Sequence, residues 1–335
     1  MSAAPDVSVV VIGRNEGERL VRCLQSIAAL RLPGRRAELL YVDSASGDGS
    51  PERAAAAGAR VLRLQPEHPT AALGRNAGWR AAAAPFVMFV DGDTVLHPDF
   101  VQRALDAMAD GRVAAVAGLV SEVRPYCSVY TRVLDLDWWQ PIGPVDFCGG
   151  NALMRRSVLA ALGGFDETLI AGEEPELCGR IRAAGHLILH LDQPMVAHDL
   201  AVTRWSQYWK RAVRSGHAFA QVAERFRETD GFWHREARAN VVHTSILLGL
   251  VAAGVGGSLL LRSPVPVLAV LAVLLALVLR TAWRARRKSP STVTLLLYGV
   301  HAHLQQLPIT VGQILFHRDR RRGQRRRLIE YKPWK

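Results

Sequence analysis

The stretch Phe86-Val87-Met88-Phe89-Val90-Asp91-Gly92-Asp93 is an apolar run that ends in two carboxylates flanking a glycine. A short continuous apolar run is typical of a strand buried on both faces of a parallel sheet. Open α/β sheets bind ligands outside the carboxyl ends of their strands, so Asp91 and Asp93 predict a divalent cation that carries phosphates. Asp-Gly-Asp is also ordinary turn chemistry, and the stretch alone does not separate the two interpretations.

Strand-like and helix-like segments alternate on both sides of this stretch. A helical pattern follows Thr70 and ends near Ala84, directly before the opening strand. The other strand-like segments are residues 7–12, 39–42, 61–64, 113–120 and 187–191. This alternation predicts an α/β domain with a mostly parallel, Rossmann-like sheet, flanking helices and right-handed crossovers.

The positive charge of the chain is concentrated near its C-terminus. The 335 residues carry a formal net charge of +12, and fourteen lysines and arginines lie from Arg280 onward against two acids, Asp319 and Glu330. These basic clusters flank apolar segments, whereas a nucleic-acid-binding protein needs a basic face on the folded domain. We therefore predict a membrane with anionic lipids as the partner and no nucleic acid.

The four cysteines do not form a metal-type or C-x-x-C pattern. They are Cys23, Cys127, Cys148 and Cys178. We interpret them as reduced, mostly buried thiols, as expected in the cytosol. The first apolar run is not preceded by a basic segment, so no signal peptide is predicted.

Two apolar segments near the C-terminus are long enough to cross a membrane. Residues 241–261 would span about 31 Å at ~1.5 Å per residue, close to a hydrocarbon core of ~30 Å, and residues 264–283 form a second such segment. Only Arg262 and Ser263 separate them, which predicts a tight hairpin. The basic residues at 284–288 place the following chain on the cytosolic side by the positive-inside rule. The prediction is a multi-pass protein of the cell (inner) membrane with a cytoplasmic catalytic domain.

Two further segments are ambiguous in their relation to the membrane. Residues 293–316 contain two histidines, three glutamines and a proline. We expect them to lie in the interface or to re-enter, because a full crossing would put the basic cluster at 318–327 outside. Residues 203–227 form an amphipathic pattern with Trp205 on one face, which fits either a membrane surface or packing on the catalytic core. The predicted domains are 1–230, 240–283 and 284–335.

Polar side chains follow three of the predicted strands. The set is Asn15 and Glu16, Asp43, Asp91 and Asp93, and Arg75 from the helix before the third of these strands. Because the carboxyl ends of parallel strands meet at one edge of a sheet, we expect these side chains to converge. Carboxylates and amides there can bind a ribose and a base, while a cation and an arginine neutralise a diphosphate. The sequence therefore predicts a nucleotide-sugar site.

The order of these motifs resembles the inverting GT-A glycosyltransferases of family 2 over about residues 7–216. The matching segments are residues 9–16, 42–50 and 75–78, Asp91-Gly92-Asp93 as the D-x-D motif, and residues 148–152 with 163–167. The resemblance implies a divalent cation, Mg²⁺ or Mn²⁺, at Asp91 and Asp93. It also implies donor contacts from Asn15, Glu16, Asp43, Arg75 and Asp91. The acceptor side would include Trp138, Gly149, Gly150 and Asn151.

The resemblance also implies a general base. The family places it as the second residue of a Glu-Asp pair at a helix start, where this chain has Glu173 and Glu174. Glu174 is therefore the expected base, and the departure from Asp leaves Glu173 as an alternative. From the residues alone, the two acids would be read as favourable charges at a helix N-terminus.

Two more features refine the expectation. His198 follows the last predicted strand, where some GT-A enzymes place another metal ligand, although a lone histidine is more often structural. The Q-x-x-R-W motif of processive synthases is incomplete, since Arg204 and Trp205 are present and Ala201 replaces the glutamine. This favours transfer of a single sugar over processive synthesis.

These expectations combine into a membrane-associated, metal-dependent, inverting glycosyltransferase. It would move one sugar from a nucleoside-diphosphate donor to a lipid or lipid-linked acceptor at the cytosolic face. A processive polysaccharide synthase is the alternative within the class. A non-catalytic membrane scaffold that binds nucleotide sugars is the alternative from another class, and retention of Asp91, Asp93 and Glu174 weighs against it.

Overall fold

The computed structural model describes residues 4–324 and 329–330. The described chain forms two compact units. The first comprises residues 4–124 and 138–201, and the second comprises residues 125–137 together with the described residues from 202 onward. Part of the predicted basic cluster at 318–327 and the end of the predicted 284–335 segment lie outside the described residues.

The elements of both units are as follows. The strands are β1 (Val7–Gly13), β2 (Ala37–Ser44), β3 (Arg60–Leu64), β4 (Phe86–Asp91), β5 (Thr94–Leu96), β6 (Val113–Glu122), β7 (Gly143–Pro144), β8 (Ala152–Arg155) and β9 (Leu187–His198). The helices are α1 (Glu18–Ala28), α2 (Ser50–Ala56), α3 (Ala71–Ala81), α4 (Phe100–Ala107), α5 (Val129–Leu134), α6 (Arg156–Leu162), α7 (Glu173–Ala183), α8 (Trp205–Arg225), α9 (His234–Leu261), α10 (Val265–Arg284), α11 (Thr292–Leu304) and α12 (Gln306–Arg321), and a 3-10 helix covers Asp135–Trp138.

The first unit is built on one mixed sheet with the strand order β3-β2-β1-β4-β8-β6-β9-β5, and β7 pairs with β9. Strands β1, β2, β3 and β4 are mutually parallel, β8 is antiparallel to both of its neighbours, and β9 is parallel to β6. The predicted α/β class with a mostly parallel sheet is confirmed. The sequence did not predict the short strands β5, β7 and β8.

The central strands are buried on both faces, as their continuous apolar sequence predicted. Val9, Val10 and Val11 of β1 are each fully buried. Helix α3 lies directly against this strand, since a Cβ at Gly78 would collide with the side chain of Val10. Glycine at that position therefore allows the close approach of helix and strand.

The register brings the predicted polar residues to one edge. Gly13 pairs with Asp43, and Ile12 pairs with Asp91. Because β2, β1 and β4 run parallel, their carboxyl ends lie side by side at that edge. The expected convergence is therefore found for the strand ends that carry Asp43 and Asp91.

Strand β9 is longer than the sequence pattern indicated. The predicted strand covered residues 187–191, whereas β9 continues to His198. In its second half, buried and exposed residues do not alternate regularly. Residues 192–194 are all exposed, and the pairing with β6 contains register shifts. His198 is thereby part of the sheet, opposite Thr94 of β5.

Helix α8 belongs to the second unit, whereas the sequence placed it with the catalytic domain. It packs along α12 through small residues: a Cβ at Gly216 would collide with the carbonyl group of Ile309, and one at Gly312 with the carbonyl group of Val213. Trp205, at the start of α8, is 44% exposed. The helix thus combines an exposed aromatic end with an extensively packed body.

Two helices in the described part of the chain, α9 and α10, are long and apolar enough to cross a membrane. Exposed leucines are frequent on both, including Leu260 at 85%. The segment expected at 293–316 forms α11 and α12, of 13 and 16 residues. Each is shorter than the ~20 residues of a single span.

Of the four cysteines, Cys23, Cys148 and Cys178 are buried, Cys127 is exposed, and all are free thiols. This agrees with the expected reduced, mostly buried state.

Candidate active site

Asp91, Asp93 and His198 form a cluster at the carboxyl edge of the sheet. One ligand atom from each residue lies within 4.8 Å of the others, and Asp93 Oδ1 is 3.6 Å from His198 Nε2. Asp93 is buried, and His198 is brought to it by the pairing of β5 with β9. Two carboxylates and one imidazole are a donor set that fits a divalent cation such as Mn²⁺. The structure thus brings the D-x-D carboxylates and the candidate ligand His198 together, and their binding of a cation stays a prediction.

Asn151 fixes the orientation of Asp91. The backbone N–H of Asp91 donates to Asn151 Oδ1 at 2.9 Å, and Asn151 Nδ2 donates to Asp91 Oδ2 at 3.4 Å. The Thr94 hydroxyl donates to the carbonyl oxygen of Asp91 at 2.7 Å. The sequence predicted Asn151 on the acceptor side, and the structure shows that its amide is occupied by the first carboxylate of the cation cluster.

Arg75 is surrounded by three carboxylates. It donates to Asp91 Oδ1 at 2.9 Å and to Glu173 Oε1 at 2.8 Å, and it forms an ion pair with Glu174 Oε1 at 2.9 Å. Its side chain is 3% exposed. The sequence predicted a guanidinium group facing a diphosphate. The structure instead places it inside the protein, where it joins the cation cluster to the two acids of α7.

The two acids at the start of α7 differ in their surroundings. Glu173 is 4% exposed, whereas Glu174 is 18% exposed. Burial and the neighbouring Glu173 carboxylate raise the pKa of Glu174 to about 7, against the opposing effect of Arg75. A carboxyl group with a pKa near neutrality, partly open to solvent, can accept a proton from a substrate hydroxyl group. Glu174 therefore meets the requirements of a general base better than Glu173.

Gly150 lies against this acid cluster. A Cβ at this position would collide with the guanidinium group of Arg75 and would lie 2.9 Å from Glu174 Oε1. At Gly149, by contrast, a Cβ would have open space around it. The first of the two predicted acceptor-side glycines thus borders open space, and the second is required for close packing.

The loops that follow β1 and β2 are tied to each other. The N–H of Asn15 donates to Ser46 Oγ at 2.8 Å, and the N–H of Gly47 donates to Asn15 Oδ1 at 2.8 Å. The N–H of Gly17 donates to Asp48 Oδ2 at 2.9 Å. These contacts use the predicted nucleotide-binding residue Asn15 to hold the two loops together. Asp48 was not singled out from the sequence, although its place in the second motif could have indicated it.

Asp43 and Glu16 are the remaining residues predicted to contact the nucleotide-sugar donor. Asp43 is 2% exposed and accepts hydrogen bonds from the Tyr41 hydroxyl at 3.2 Å and the Ser46 N–H at 2.9 Å. Burial and the Asp43 carboxylate raise the pKa of Tyr41. Glu16 Oε2 lies 2.9 Å from Arg19 Nη2. Asp43 thus shapes the loop after β2.

Trp138 packs against the cation cluster. The centroids of its ring and that of His198 are 5.4 Å apart, with the ring planes tilted by 46°. The sequence placed Trp138 on the acceptor side, and the structure places its ring against that of His198, the candidate cation ligand.

Family models match this chain over most of its described length. A model for glycosyl transferase family 2 matches residues 8–163, and one for glycosyl transferase family group 2 matches residues 86–285. Both matches include Asp91 and Asp93.

Individual proteins support the same relationship. The pre-mycofactocin glycosyltransferase of Mycobacterium tuberculosis is 30% identical over 208 residues, which cover 58% of this chain and 43% of the relative. Glycosyltransferase AglE of Haloferax volcanii is 24% identical over 230 residues, covering 66% of this chain and 75% of AglE. The matched region thus spans less than half of the first relative's length.

The fold resembles that of solved structures as well. The mannosyltransferase PcManGT from Pyrobaculum calidifontis, in complex with GDP-Man and Mn²⁺, superposes with a TM-score of 0.64 at 22% identity. The superposition covers 89% of this chain and 87% of PcManGT. At 22% identity this similarity shows that the two proteins share a fold.

Proposed function

This chain belongs to glycosyl transferase family 2, and from that premise we propose that it transfers a single sugar from a nucleoside-diphosphate donor to a lipid or lipid-linked acceptor, with inversion. The observation that carries the proposal is the connection of two groups by Arg75. One is the cluster of Asp91, Asp93 and His198, and the other is the Glu173–Glu174 pair. A cation site and a base beside each other are what displacement of a diphosphate by a hydroxyl group requires.

The cation site supports a nucleotide-sugar donor. Asp91, Asp93 and His198 would hold Mg²⁺ or Mn²⁺, which when bound neutralises the charge of a leaving diphosphate. The Pyrobaculum mannosyltransferase, which shares the fold, is described in complex with GDP-Man and Mn²⁺.

The base supports inversion by direct displacement. In its ionised form Glu174 accepts the proton of the acceptor hydroxyl group as that oxygen attacks the anomeric carbon, and the bond from this carbon to the diphosphate oxygen breaks. Arg75 holds the carboxylate of Glu174 in place and compensates the charge of Glu173. Asn151 performs the corresponding role for Asp91. These residues fix the geometry before any substrate is bound.

The helices of the second unit support a membrane location and a lipid acceptor. Helices α9 and α10 have the length and composition of membrane spans, and we place the catalytic unit on the cytosolic side of the cell membrane because basic residues follow α10. Polar contacts join these helices to the rest of their unit: His243 Nε2 lies 2.9 Å from His303 Nδ1, and Thr281 Oγ1 lies 3.1 Å from His303 Nε2. Anchoring in a membrane would bring the enzyme into contact with lipid acceptors.

The experiment incubates the purified full chain with a panel of labelled nucleotide sugars, Mn²⁺ or Mg²⁺, and a membrane lipid extract. We expect a lipid-soluble labelled product with at least one sugar, lost on chelation of the cation. Asp93→Asn should abolish cation-dependent donor binding. Asp99→Asn is the control, because the Asp99 side chain is exposed, and it should retain that binding. Absence of both transfer and cation-dependent donor hydrolysis with every sugar contradicts the proposal. A polymeric product supports the processive alternative.

A further inference from the structure

Two arginines converge on one buried carboxylate next to the cation cluster. Asp199 Oδ2 accepts from Arg22 Nη2 at 2.9 Å and from Arg124 Nη2 at 3.5 Å. The Asp199 side chain is 5% exposed, whereas those of Arg22 and Arg124 are 44% and 64% exposed. These three side chains together carry one net positive charge, and the two guanidinium groups face solvent. The buried Glu122 carboxylate lies beside them and accepts from the N–H groups of Arg124 and Leu200.

The backbone fixes the position of this group relative to the cluster. Asp199 directly follows His198, and its N–H donates to the carbonyl oxygen of Asp93 at 2.9 Å. Arg124 follows β6, which runs parallel to β9, so both chain segments leave the sheet at the edge where Asp91 lies. Arg22 comes from α1, the first helix after β1.

Stability alone does not account for two arginines at this position. One guanidinium group already neutralises the buried Asp199 carboxylate, so charge balance does not require the second. A guanidinium group has a planar set of donors that matches phosphate oxygens, and each of these arginines uses one nitrogen on Asp199. The remaining donors are available at the solvent-facing side.

We infer that Arg22 and Arg124 form a phosphate-binding site beside the cation cluster, with Asp199 orienting the two guanidinium groups. The inference rests on the proposed function, because its ligand is a phosphate group of a substrate. That phosphate belongs either to the donor diphosphate or to a phosphorylated lipid acceptor. The two sources share the chemistry that the arginines recognise, and they differ in their dependence on the cation.

The first experiment uses the wild-type full chain. Phenylglyoxal modifies exposed arginines, and peptide mass spectrometry reads the modification of each residue. We expect phosphate-containing ligands to protect Arg22 and Arg124 but not Arg31, an exposed arginine that pairs with Asp99 at 3.2 Å. The probes are inorganic phosphate, GDP or UDP with Mn²⁺, and detergent-dispersed polyprenyl phosphate without metal. Equal modification with and without every probe would overturn the inference.

The second experiment measures binding of the same probes to the Arg22→Gln/Arg124→Gln variant. We expect binding at least about tenfold weaker than in the wild type, since hydrogen bonds to charged groups typically contribute that much each. Arg31→Gln is the matched control and should leave binding unchanged. Weakening confined to GDP or UDP with Mn²⁺ assigns the site to the donor, and weakening confined to polyprenyl phosphate assigns it to the acceptor. Unchanged binding of all probes contradicts the site.

A third variant separates phosphate binding from a structural role. In Asp199→Asn the amide oxygen can still accept from the two guanidinium groups and orient them, but their internal counter-charge is lost, so phosphate should bind more tightly. Unchanged or weaker binding to the folded variant would count against the inference. Protection of Arg22 and Arg124 by phosphate without transfer of any sugar would leave the site standing and overturn the proposed function.

Discussion

Arg75 Nη1 lies 2.9 Å from Glu174 Oε1, and its other terminal nitrogen lies 2.9 Å from Asp91 Oδ1. One buried guanidinium group therefore contacts the expected base and an expected cation ligand at the same time.

Substitution of Glu174 by Gln should abolish transfer and leave donor binding intact. The amide keeps the size of the side chain but cannot accept the hydroxyl proton, and loss of a general base typically slows reactions by about 10² to 10⁴. Transfer is measured with labelled donor, and donor binding by calorimetry in the presence of Mn²⁺. Full activity of this variant would show that Glu174 is not the base. Glu173→Gln then tests whether Glu173 is the base instead.

Transfer should increase with pH through about 7, because Glu174 must be ionised to act and burial beside Glu173 raises its pKa to that value. Stability should change in the opposite direction. The pKa of this group is 4.5 in its ordinary state, so between there and about 7 the folded chain binds more protons than the unfolded chain, and stability falls as pH rises. Denaturant unfolding of the wild type and Glu174→Gln at several pH values measures the effect. Identical pH dependence of the two proteins would contradict it.

Replacement of Arg75 by Met should destabilise the fold strongly. It leaves three carboxylates near one another without the guanidinium group that pairs with all of them. Removal of one partner from a buried ion pair typically costs about 3–5 kcal/mol. Arg80→Met provides a matched control on the same helix. That arginine is 53% exposed and lies 3.3 Å from Glu167 Oε1, so a change below about 1 kcal/mol is expected. Similar unfolding midpoints for the two variants would show that Arg75 is not needed to balance the acids.

Two adjacent glycines should respond differently to alanine. In Gly150→Ala the new methyl group meets the guanidinium group of Arg75, and overpacking of this kind typically costs about 1–3 kcal/mol. In Gly149→Ala the methyl group enters open space, so stability should be nearly unchanged. Transfer should fall in the first variant because both Arg75 and Glu174 must shift. Thermal unfolding and initial transfer rates measured side by side test the contrast.

The sequence was sufficient for the parts of the fold that depend on local pattern. Hydrophobicity and chain order predicted the buried strands β1, β2 and β4 and the polar residues at their ends. They also predicted that Asp43 and Asp91 lie at the same edge of the sheet. The extension of β9 to His198 was not predictable in this way, because it depends on pairing with β5 and β6 rather than on alternation within the strand.

The candidate site was predictable in composition and less so in geometry. Asp91 and Asp93 were expected to hold a cation, with His198 as a further candidate ligand, and the structure brings the three together. The partners of Arg75 and Asn151 were not evident, because each contact joins residues far apart in sequence. Tertiary packing decides whether a buried arginine contacts a ligand or internal carboxylates, and a short sequence motif does not predict that packing.

The loops after β1 and β2 have a consequence for ligand selection. Three hydrogen bonds from backbone N–H groups fasten them to each other through Asn15, Ser46 and Asp48. A ligand that binds at this end of the site meets a surface that is already ordered, so little chain entropy is lost on association. Discrimination among related ligands there depends on shape and direct contacts rather than on loop closure, and rigid analogues should make sensitive probes of it.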